Sequence, residues 1–349
     1  MSLIWNNKIS VSYFGEPHDA VIGVTIDNLP SGEYIDAESI GNFLKRLYPK
    51  SLNEEKERRK IPVPRIMSGI KNGRTTGTPL CAIIQNPNIQ TAEKAYVSSP
   101  ERIGSSDYAG TSHCKGFDDI KRLASYPIHF IVPLCFSGAL CAQILEKRGI
   151  YTGAHIASVH NIKDNPFDPV CISRDAVLSI RLKDFPVIND YKGWLMLDDI
   201  TKAHEAGESL GGVIECASVN VPAGVGESVF TGLKNSIAQL VFGIPAISGI
   251  EFGSGFSASE MIGSQYSDRF YTDERGRTRS KTNSHGGFLG GVSTGMPIII
   301  NASVQPLNNN YMGLNKKTCF VPEAAVCVEA AVNIALLSNM IDYPNFCLR

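Results

Sequence analysis

The chain has 349 residues, of which 43% are hydrophobic and 19% charged, and a formal net charge of −1. A composition of this kind predicts a globular protein with a sizeable core, built as two domains or as one large one. The nearly balanced charge argues against nucleic acid as a bulk electrostatic partner, and no apolar run reaches the ~20 residues needed to cross a membrane.

The first 150 residues predict strands, a helix and glycine turns. Residues 8–14 and 20–27 alternate like strands and are separated by Gly15-Glu16-Pro17-His18-Asp19. Asp36 is expected to start a helix that ends near Lys45 and Arg46. The charge run KSLNEEKERRK at 50–60 is expected to be a solvated loop, with a lid over an anionic substrate as the alternative. Two strands joined by a glycine turn follow.

Later elements are predicted in the same way. A helix is expected from Gly138 to Lys147 with Gly149 as its stop, and a strand over 150–159. Residues 161–200 give no clear assignment. A strand within 207–227 and a short helix within 228–243 follow, and the alanine- and leucine-rich stretch after Pro322 is the strongest helix prediction.

Nine cysteines occur without a C-x-x-C pair, most of them in apolar segments such as PLCAII and VIECAS. This pattern favours buried, reduced thiols in a cytosolic protein over a disulfide framework or a zinc site. The N-terminus MSLIWNNKIS shows no basic stretch followed by an apolar core, so no signal peptide is predicted. We therefore expect a cytoplasmic location and no bound metal.

Residues 243–300 are rich in glycine and lack the period of an amphipathic helix. Glycine suits positions where the backbone takes a positive φ or where a flat group lies against it. The segment is therefore either a set of tight turns between strands or a floor of backbone N–H groups under a planar, anionic cofactor.

An internal repeat indicates one architecture rather than two unrelated domains. Gly15-Glu16 precedes LPSG at 29–32 by the spacing at which Gly207-Glu208 precedes VPAG at 221–224. SGI at 68–70 likewise precedes TGTP at 76–79 by the spacing that separates GGF at 286–288 from TGMP at 294–297. We infer a single α+β domain over 1–349 with an internal pseudo-twofold repeat, its halves roughly 1–150 and 200–349.

Few residues suggest chemistry on their own. His18, in a tight turn between two strands, is either a candidate acid or base near neutral pH or a hydrogen-bonded turn residue. His285 adjoins two glycines and is a weaker candidate. Lys45 and Arg46 either bind phosphate or complement the helix dipole. The sequence contains no P-loop, no G-x-S-x-G and no credible strand–G-x-G-x-x-G–helix unit, which removes most nucleotide-hydrolysing and serine-hydrolase interpretations.

The chain resembles the chorismate synthase family along nearly its whole length. The resemblance rests on the segments 15–19, 29–32, 68–79, 211–227, 244–256 and 282–295. It implies a β-α-β sandwich assembled as a homotetramer. It also implies a lyase of the shikimate pathway, in aromatic amino acid biosynthesis, that uses reduced FMN. The implied reaction is the 1,4-elimination of phosphate from 5-enolpyruvylshikimate 3-phosphate to give chorismate. In the family, two histidines act as acids and arginines hold the substrate.

Matching the family's motifs position by position gives a set of expected site residues. His18 is the expected catalytic acid. The expected cofactor-binding residues are Ser125, Tyr126, Pro245, Ala246, Gly290, Gln305, Pro306, Asn308, Asn309 and Asn315. The expected substrate-binding residues are Lys45, Arg46, Ser105 and His129. The substrate is expected to be a phosphorylated small molecule, with no nucleic-acid or membrane partner.

Several of these positions depart from the family. Ser105 stands where the family has its second histidine, Lys317 where it has an aspartate, and Glu323 where it has an arginine. Losing a proton donor typically costs 10²–10⁴-fold in rate. Three hypotheses follow: a divergent but active chorismate synthase, with His113 or His129 replacing the missing histidine; an impaired paralogue with a structural, regulatory or different ligand-binding role; or a flavin enzyme of another reaction class.

Overall fold

A computed structural model describes residues 3–15, 20–52, 63–85, 130–227, 229–274, 276, 278–307 and 318–343. The helices in these ranges are α1 (Ala37–Lys45), α2 (Ile131–Glu146), α3 (Arg174–Arg181), α4 (Asp190–Glu205), α5 (Leu233–Phe242), α6 (Gly263–Tyr266) and α7 (Val321–Met340). Short 3₁₀ turns cover Lys50–Leu52 and Gly255–Glu260.

The strands form two antiparallel five-stranded sheets. The first has the order β1 (Ile4–Asn6), β2 (Ser10–Phe14), β3 (Val21–Asp27), β7 (Leu80–Gln85), β4 (Arg65–Ser68). The second has the order β9 (Ile162–Lys163), β8 (Tyr151–Val159), β10 (Gly212–Val219), β16 (Ile298–Val304), β11 (Ile247–Phe252). Three hairpins complete the strands: β5 (Ile70–Lys71) with β6 (Arg74–Thr75), β12 (Phe270–Thr272) with β13 (Thr278–Ser280), and β14 (Phe288–Leu289) with β15 (Val292–Ser293).

The predicted repeat is confirmed, because equivalent residues of the two halves make equivalent hydrogen bonds. Gly32 N donates to Thr75 O at 2.7 Å in the first half, and Gly224 N donates to Ser293 O at 2.7 Å in the second. The hydroxyl of Thr75 reaches Pro30 O at 2.5 Å, and that of Ser293 reaches Pro222 O at 2.6 Å. Equivalent glycines also share a left-handed backbone, as at Gly69 and Gly287, both with φ of 85°. The repeat therefore extends from sequence spacing to individual bonds.

The helices α2 and α7 form the centre of the molecule. α2 contacts β3 of the first sheet and β8 of the second, while α7 packs on β8, β10 and β16. A Cβ added at Gly138 would lie 2.3 Å from Ala330 Cα, so only glycine allows the two backbones to come this close. Cys135 precedes Gly138 by three positions on α2, and Cys327 precedes Ala330 by three positions on α7. Their Sγ atoms lie 3.8 Å apart. The two helices therefore run parallel, with their N-termini at the same end.

Most predicted elements appear, with two differences. α2 begins at Ile131, seven positions before the expected start at Gly138, and residues 161–200 contain α3 and most of α4. α2 is buried on nearly all sides, so its sequence is apolar all round and lacks the 3.6-residue stripe that marks a surface helix. Residues 151–163, which lie outside the two predicted halves, supply β8 and β9 to the second sheet. The single-domain assignment itself stays a prediction.

α7 is long and apolar enough to cross a membrane by length and composition, yet it is wholly enclosed by the protein. Its Glu329 is 0% exposed and paired with two arginines. In this structure α7 is the central helix of a core.

Candidate functional site

The long connections of the first half leave the sheet at one end. Val21 pairs with Gln85, so the chain enters β3 next to the point where it leaves β7. Phe130, which caps α2, stacks on Tyr13 of β2 with 5.6 Å between ring centroids. The connections 16–19 and 86–129 are therefore both anchored at this end of the first sheet.

The second half has an equivalent group of anchors. Gln305 N donates to Ala246 O at 2.9 Å, where β16 ends and β11 begins. The hydroxyl of Ser209 donates to Leu307 O, and Leu210 N donates to Thr318 O at 2.7 Å. Ser209 and Leu210, which are consecutive in the chain, thus hold the residues on either side of the connection 308–317.

The contacts that hold the connections of the first half and those that hold the connection of the second half lie at the same end of the molecule, because α2 and α7 run parallel. α2 begins beside Tyr13, and the side chain of Val321 at the start of α7 lies against Gly212 at the start of β10. The residues that precede the two helices, Phe130 and Phe320, have hydrocarbon side chains and make no side-chain hydrogen bond to the first turn. Two helix N-termini, each with a positive partial charge, therefore face this end, which we call the loop end.

Two of the expected cofactor residues come together at the loop end, with a third beside them. Ala246 and Gln305 are joined by the backbone bond described above, and Ala246 has a left-handed backbone with φ of 63°. Pro306 follows directly and packs so closely on Gly211 that a Cβ there would lie 2.9 Å from Pro306 Cδ. Pro245 precedes Ala246 in the same turn between α5 and β11.

Gly290 lies elsewhere. It forms the turn of the β14–β15 hairpin, which precedes β16, whereas Gln305 follows β16. A strand rises about 3.3 Å per residue, so the seven residues of β16 separate the two positions by roughly 20 Å. Within one chain the structure does not bring Gly290 together with Ala246 and Gln305.

Lys45 and Arg46 differ sharply in surroundings. Lys45 is exposed and donates to Asn42 Oδ1 at 2.9 Å. Arg46 donates two hydrogen bonds to the fully buried carboxylate of Glu329, at 2.9 and 2.7 Å, and Arg181 Nε lies 2.9 Å from the same carboxylate. Burial alone would raise the pKa of Glu329, but the charges of Arg46 and Arg181 outweigh it and hold that pKa below its ordinary value. Substrate binding by either residue stays a prediction, and Arg46 already has a partner inside the protein.

Glu323 lies in the first turn of α7, at the loop end, and is only 7% exposed. A carboxylate is favourable at a helix N-terminus. The loop end therefore carries an acid at the position where the resemblance leads us to expect an arginine.

The remaining expected site residues lie outside the described part of the chain. They are His18, Ser105, Ser125, Tyr126, His129, Asn308, Asn309, Asn315 and Lys317, together with the alternative His113. Their roles stay predictions. The described residues show where the connections that carry them begin and end.

Two histidine–carboxylate contacts were not found from the sequence. His155 on β8 is fully buried between Glu215, at 2.7 Å, and Asp164, at 3.3 Å. His285 Nδ1 lies 2.7 Å from Asp268 Oδ2, and its ring packs on Tyr266 with centroids 4.4 Å apart. The partners lie on different elements or turns, up to 60 positions apart in sequence, and no motif in the sequence marks either contact.

The described cysteines are all free thiols, as the sequence predicts. Cys135, Cys141, Cys216, Cys319 and Cys327 are buried, and Cys171 is exposed. Burial is the main cause that raises the pKa of Cys135, Cys141 and Cys216 above its ordinary value. The buried thiols are therefore packing residues rather than nucleophiles.

Two antiparallel sheets around a pair of parallel helices, with the described ends of the long connections at one end, define an α+β sandwich protein with a candidate site at its loop end. The family model described as chorismate synthase matches residues 9–341. The chorismate synthase of Lancefieldella parvula is 31% identical, covering 99% of this chain and 98% of its own length. That of Korarchaeum cryptofilum is 30% identical over 97% of each chain. The chain therefore belongs to the chorismate synthase family.

A solved structure supports the fold. It is described as "Crystal Structure of Chorismate Synthase", aligns with a TM-score of 0.78 at 24% identity, and covers 96% of this chain and 92% of its own. The α+β fold with a pseudo-twofold repeat, inferred from the sequence spacing, and the sandwich implied by the resemblance are confirmed.

Proposed function

We propose that this protein is a chorismate synthase. It eliminates phosphate from 5-enolpyruvylshikimate 3-phosphate in an anti-1,4 sense to give chorismate, with reduced FMN as cofactor. Family membership over 9–341 supports this proposal. The observation that carries it is the loop end, where the connections bearing the expected site residues are anchored beside the N-termini of α2 and α7.

The described part of the loop end fits an anionic cofactor and an anionic substrate. Two parallel helices direct their positive ends there, and phosphate and carboxylate groups are stabilised at such ends. The turn at Ala246 and the Pro306–Gly211 contact bring bare backbone to the same surface. Reduced FMN, when bound, supplies an electron-rich ring next to the substrate.

The chain's own residues hold the reactants and move protons. Ser125, Tyr126, Ala246, Gln305 and the asparagines of 308–317 hold the cofactor in this proposal, and Lys45 and His129 bind the substrate anions. His18 donates a proton at its imidazole nitrogen. Arg46 takes part only if it leaves Glu329, which would strand a buried carboxylate. The assembly is a homotetramer in the cytoplasm.

Two observations favour a second candidate, an impaired paralogue. Arg46 is bound within the core, and Glu323 places a carboxylate at the loop end where the family has an arginine. Both features weaken a site for a substrate that carries two carboxylates and a phosphate, since the first withdraws a positive charge from the site and the second opposes positive charge there.

The test is anaerobic incubation with reduced FMN and 5-enolpyruvylshikimate 3-phosphate, following chorismate absorbance and phosphate release. Stoichiometric formation of both products is expected, and His18→Ala should abolish it. His160→Ala is the matched control, because the imidazole of His160 is exposed and its described contacts are with Asp199 and Asn161. No turnover despite flavin binding would favour another reaction class, and no flavin binding would leave the paralogue.

A further inference from the structure

A cavity of about 310 Å³ lies beside α3, and no described residue expected at the active site lines it. Its floor is apolar and consists of Phe167, Ile172, Ile180 and Ile188. With Ala217 these side chains form a small hydrophobic cluster that is separate from the main core. The cavity therefore belongs to a part of the molecule that the proposed reaction does not use.

The size of the cavity limits what it can hold. Ligand pockets span about 300–1,000 Å³, so this cavity is at the small end of the range. A water molecule takes up about 30 Å³ in the liquid, which leaves room here for roughly ten water-sized groups. FMN and 5-enolpyruvylshikimate 3-phosphate both have far more non-hydrogen atoms than that. An occupant of the cavity is therefore a different and smaller molecule.

The described lining of the cavity carries one basic and one acidic side chain, Lys183 and Asp168. Lys183 Nζ donates to Asp190 Oδ1 at 2.6 Å and to a backbone carbonyl. Asp190 is 84% exposed, so a ligand carboxylate can replace it on Lys183 at little cost. Asp168 Oδ1 accepts from Val170 N at 2.9 Å and from Cys171 N at 3.1 Å. These bonds hold Asp168 in place, and a carboxylate accepts at about four sites, which leaves capacity for a ligand ammonium.

Two walls of the cavity are tied to one buried group. Phe167 N donates to Glu215 Oε2 at 2.8 Å, and its ring meets the imidazole of His155 edge to face, with centroids 4.8 Å apart. On the other wall Ile188 N donates to Asp164 Oδ2. Glu215 and Asp164 are the two carboxylates that face His155. The cavity is therefore held open before a ligand arrives, which reduces the entropy lost on binding.

We propose that this cavity binds a free α-amino acid with an apolar side chain, of the size of leucine or phenylalanine. The carboxylate of the ligand binds Lys183, its ammonium binds Asp168, and its side chain fills the apolar floor. A purely anionic ligand would meet the charge of Asp168, and an uncharged apolar ligand would leave both charged groups without a partner in it. Binding at this site does not depend on whether the chain makes chorismate.

The first test uses wild-type protein and the exposed thiol of Cys171, which lines the cavity. Its reaction with DTNB is the part of the fast phase that Cys171→Ser removes. L-phenylalanine and L-leucine should slow that reaction in a saturable way. Phenethylamine lacks the carboxylate and 3-phenylpropionate lacks the ammonium, so each should bind at least about 10-fold more weakly than L-phenylalanine. Absence of protection by both amino acids, or equal protection by either analogue, would overturn the proposal.

The second test is isothermal titration calorimetry of Asp168→Asn with L-phenylalanine. Asparagine keeps an oxygen for the two backbone bonds but removes the charge, so the dissociation constant should rise at least about 10-fold, while 3-phenylpropionate should bind no more weakly than before. Asp175→Asn is the matched control, because Asp175 lies in the first turn of α3 outside the described lining, and it should leave both affinities unchanged. Wild-type affinity for L-phenylalanine in Asp168→Asn would contradict the proposal. Chorismate formation is measured separately, so its failure is distinguishable from failure of amino-acid binding.

Discussion

Arg46 and Glu329 form a two-pronged ion pair inside the protein, joining the residue that ends α1 to the middle of the central helix α7. Their hydrogen bonds measure 2.9 and 2.7 Å, and Glu329 has no exposed surface. Arg181 brings a second positive charge from α3 and also bonds to Glu146 of α2. Four helices are thus joined around one buried carboxylate.

Removing one partner of such a pair leaves the others charged and buried. We expect Arg46→Ala to lower the free energy of unfolding by about 3–5 kcal/mol, as measured by urea denaturation. The adjacent Lys45→Ala is the control and should change it by less than ~0.5 kcal/mol, since Lys45 is exposed. If the two variants were equally stable and Arg46→Ala instead lost substrate affinity, Arg46 would be a ligand of the substrate.

The ion pair also shows what the sequence could not predict. Arg46 sits at the end of an amphipathic helix, and the resemblance leads us to expect it to bind substrate, so both the local pattern and the resemblance predict an outward-facing side chain. Its partner Glu329 lies 283 positions away in a helix that is buried on every side. No pattern within one segment contains that information, because the pairing depends on how α1, α3 and α7 pack together.

The backbone of the repeat, on the other hand, was predictable. Glycine and proline restrict φ locally, so equal spacing of LPSG, TGTP and their counterparts implies equal turns. The structure gives those turns matching hydrogen bonds and matching φ values. The expected site was only partly predictable, since Ala246 and Gln305 meet but Gly290 lies roughly 20 Å away along β16.

The equivalent glycines of the two halves should respond alike to substitution. Gly69 and Gly287 both have φ of 85°, and an added Cβ would lie 2.4 Å from Leu80 Cα or 2.6 Å from Pro297 O. Left-handed strain and these clashes should make Gly69→Ala and Gly287→Ala each destabilising by about 2 kcal/mol or more. Thermal unfolding monitored by circular dichroism measures this effect.

Gly41 provides the control for these two variants. It lies within α1 with no atom inside 4 Å of the added Cβ, so Gly41→Ala should stabilise the protein by up to about 1 kcal/mol. A destabilised Gly41→Ala, or a harmless Gly69→Ala, would contradict the described turn and helix geometry.

The rate at which each thiol reacts with a reagent should depend on whether that thiol is buried. Cys171 is exposed, whereas Cys141 is buried and burial raises its pKa. In native protein a thiol reagent such as DTNB should react rapidly at Cys171. Cys171→Ser should therefore remove one fast-reacting thiol, while Cys141→Ser should leave the fast phase unchanged. A fast phase that is lost in Cys141→Ser would show that the core opens at that position.

Stability should fall as the pH rises above about 6.5 because of His155. Burial alone would lower the pKa of His155, but its close contacts with Asp164 and Glu215, the carboxylates that face it, outweigh burial and raise that pKa. A raised folded pKa means that the stabilisation is fully present below the unfolded value of about 6.5 and is lost as the pH rises through the folded value. The loss amounts to about 1.4 kcal/mol for each unit that separates the two pKa values. Urea unfolding at intervals from pH 6 to pH 9 measures this loss.

His155→Gln should be less stable throughout and should lose this slope, because no cation remains between the two carboxylates. His160→Gln, at an exposed histidine, should keep the wild-type slope. A slope that survives in His155→Gln would assign the pH dependence to another group.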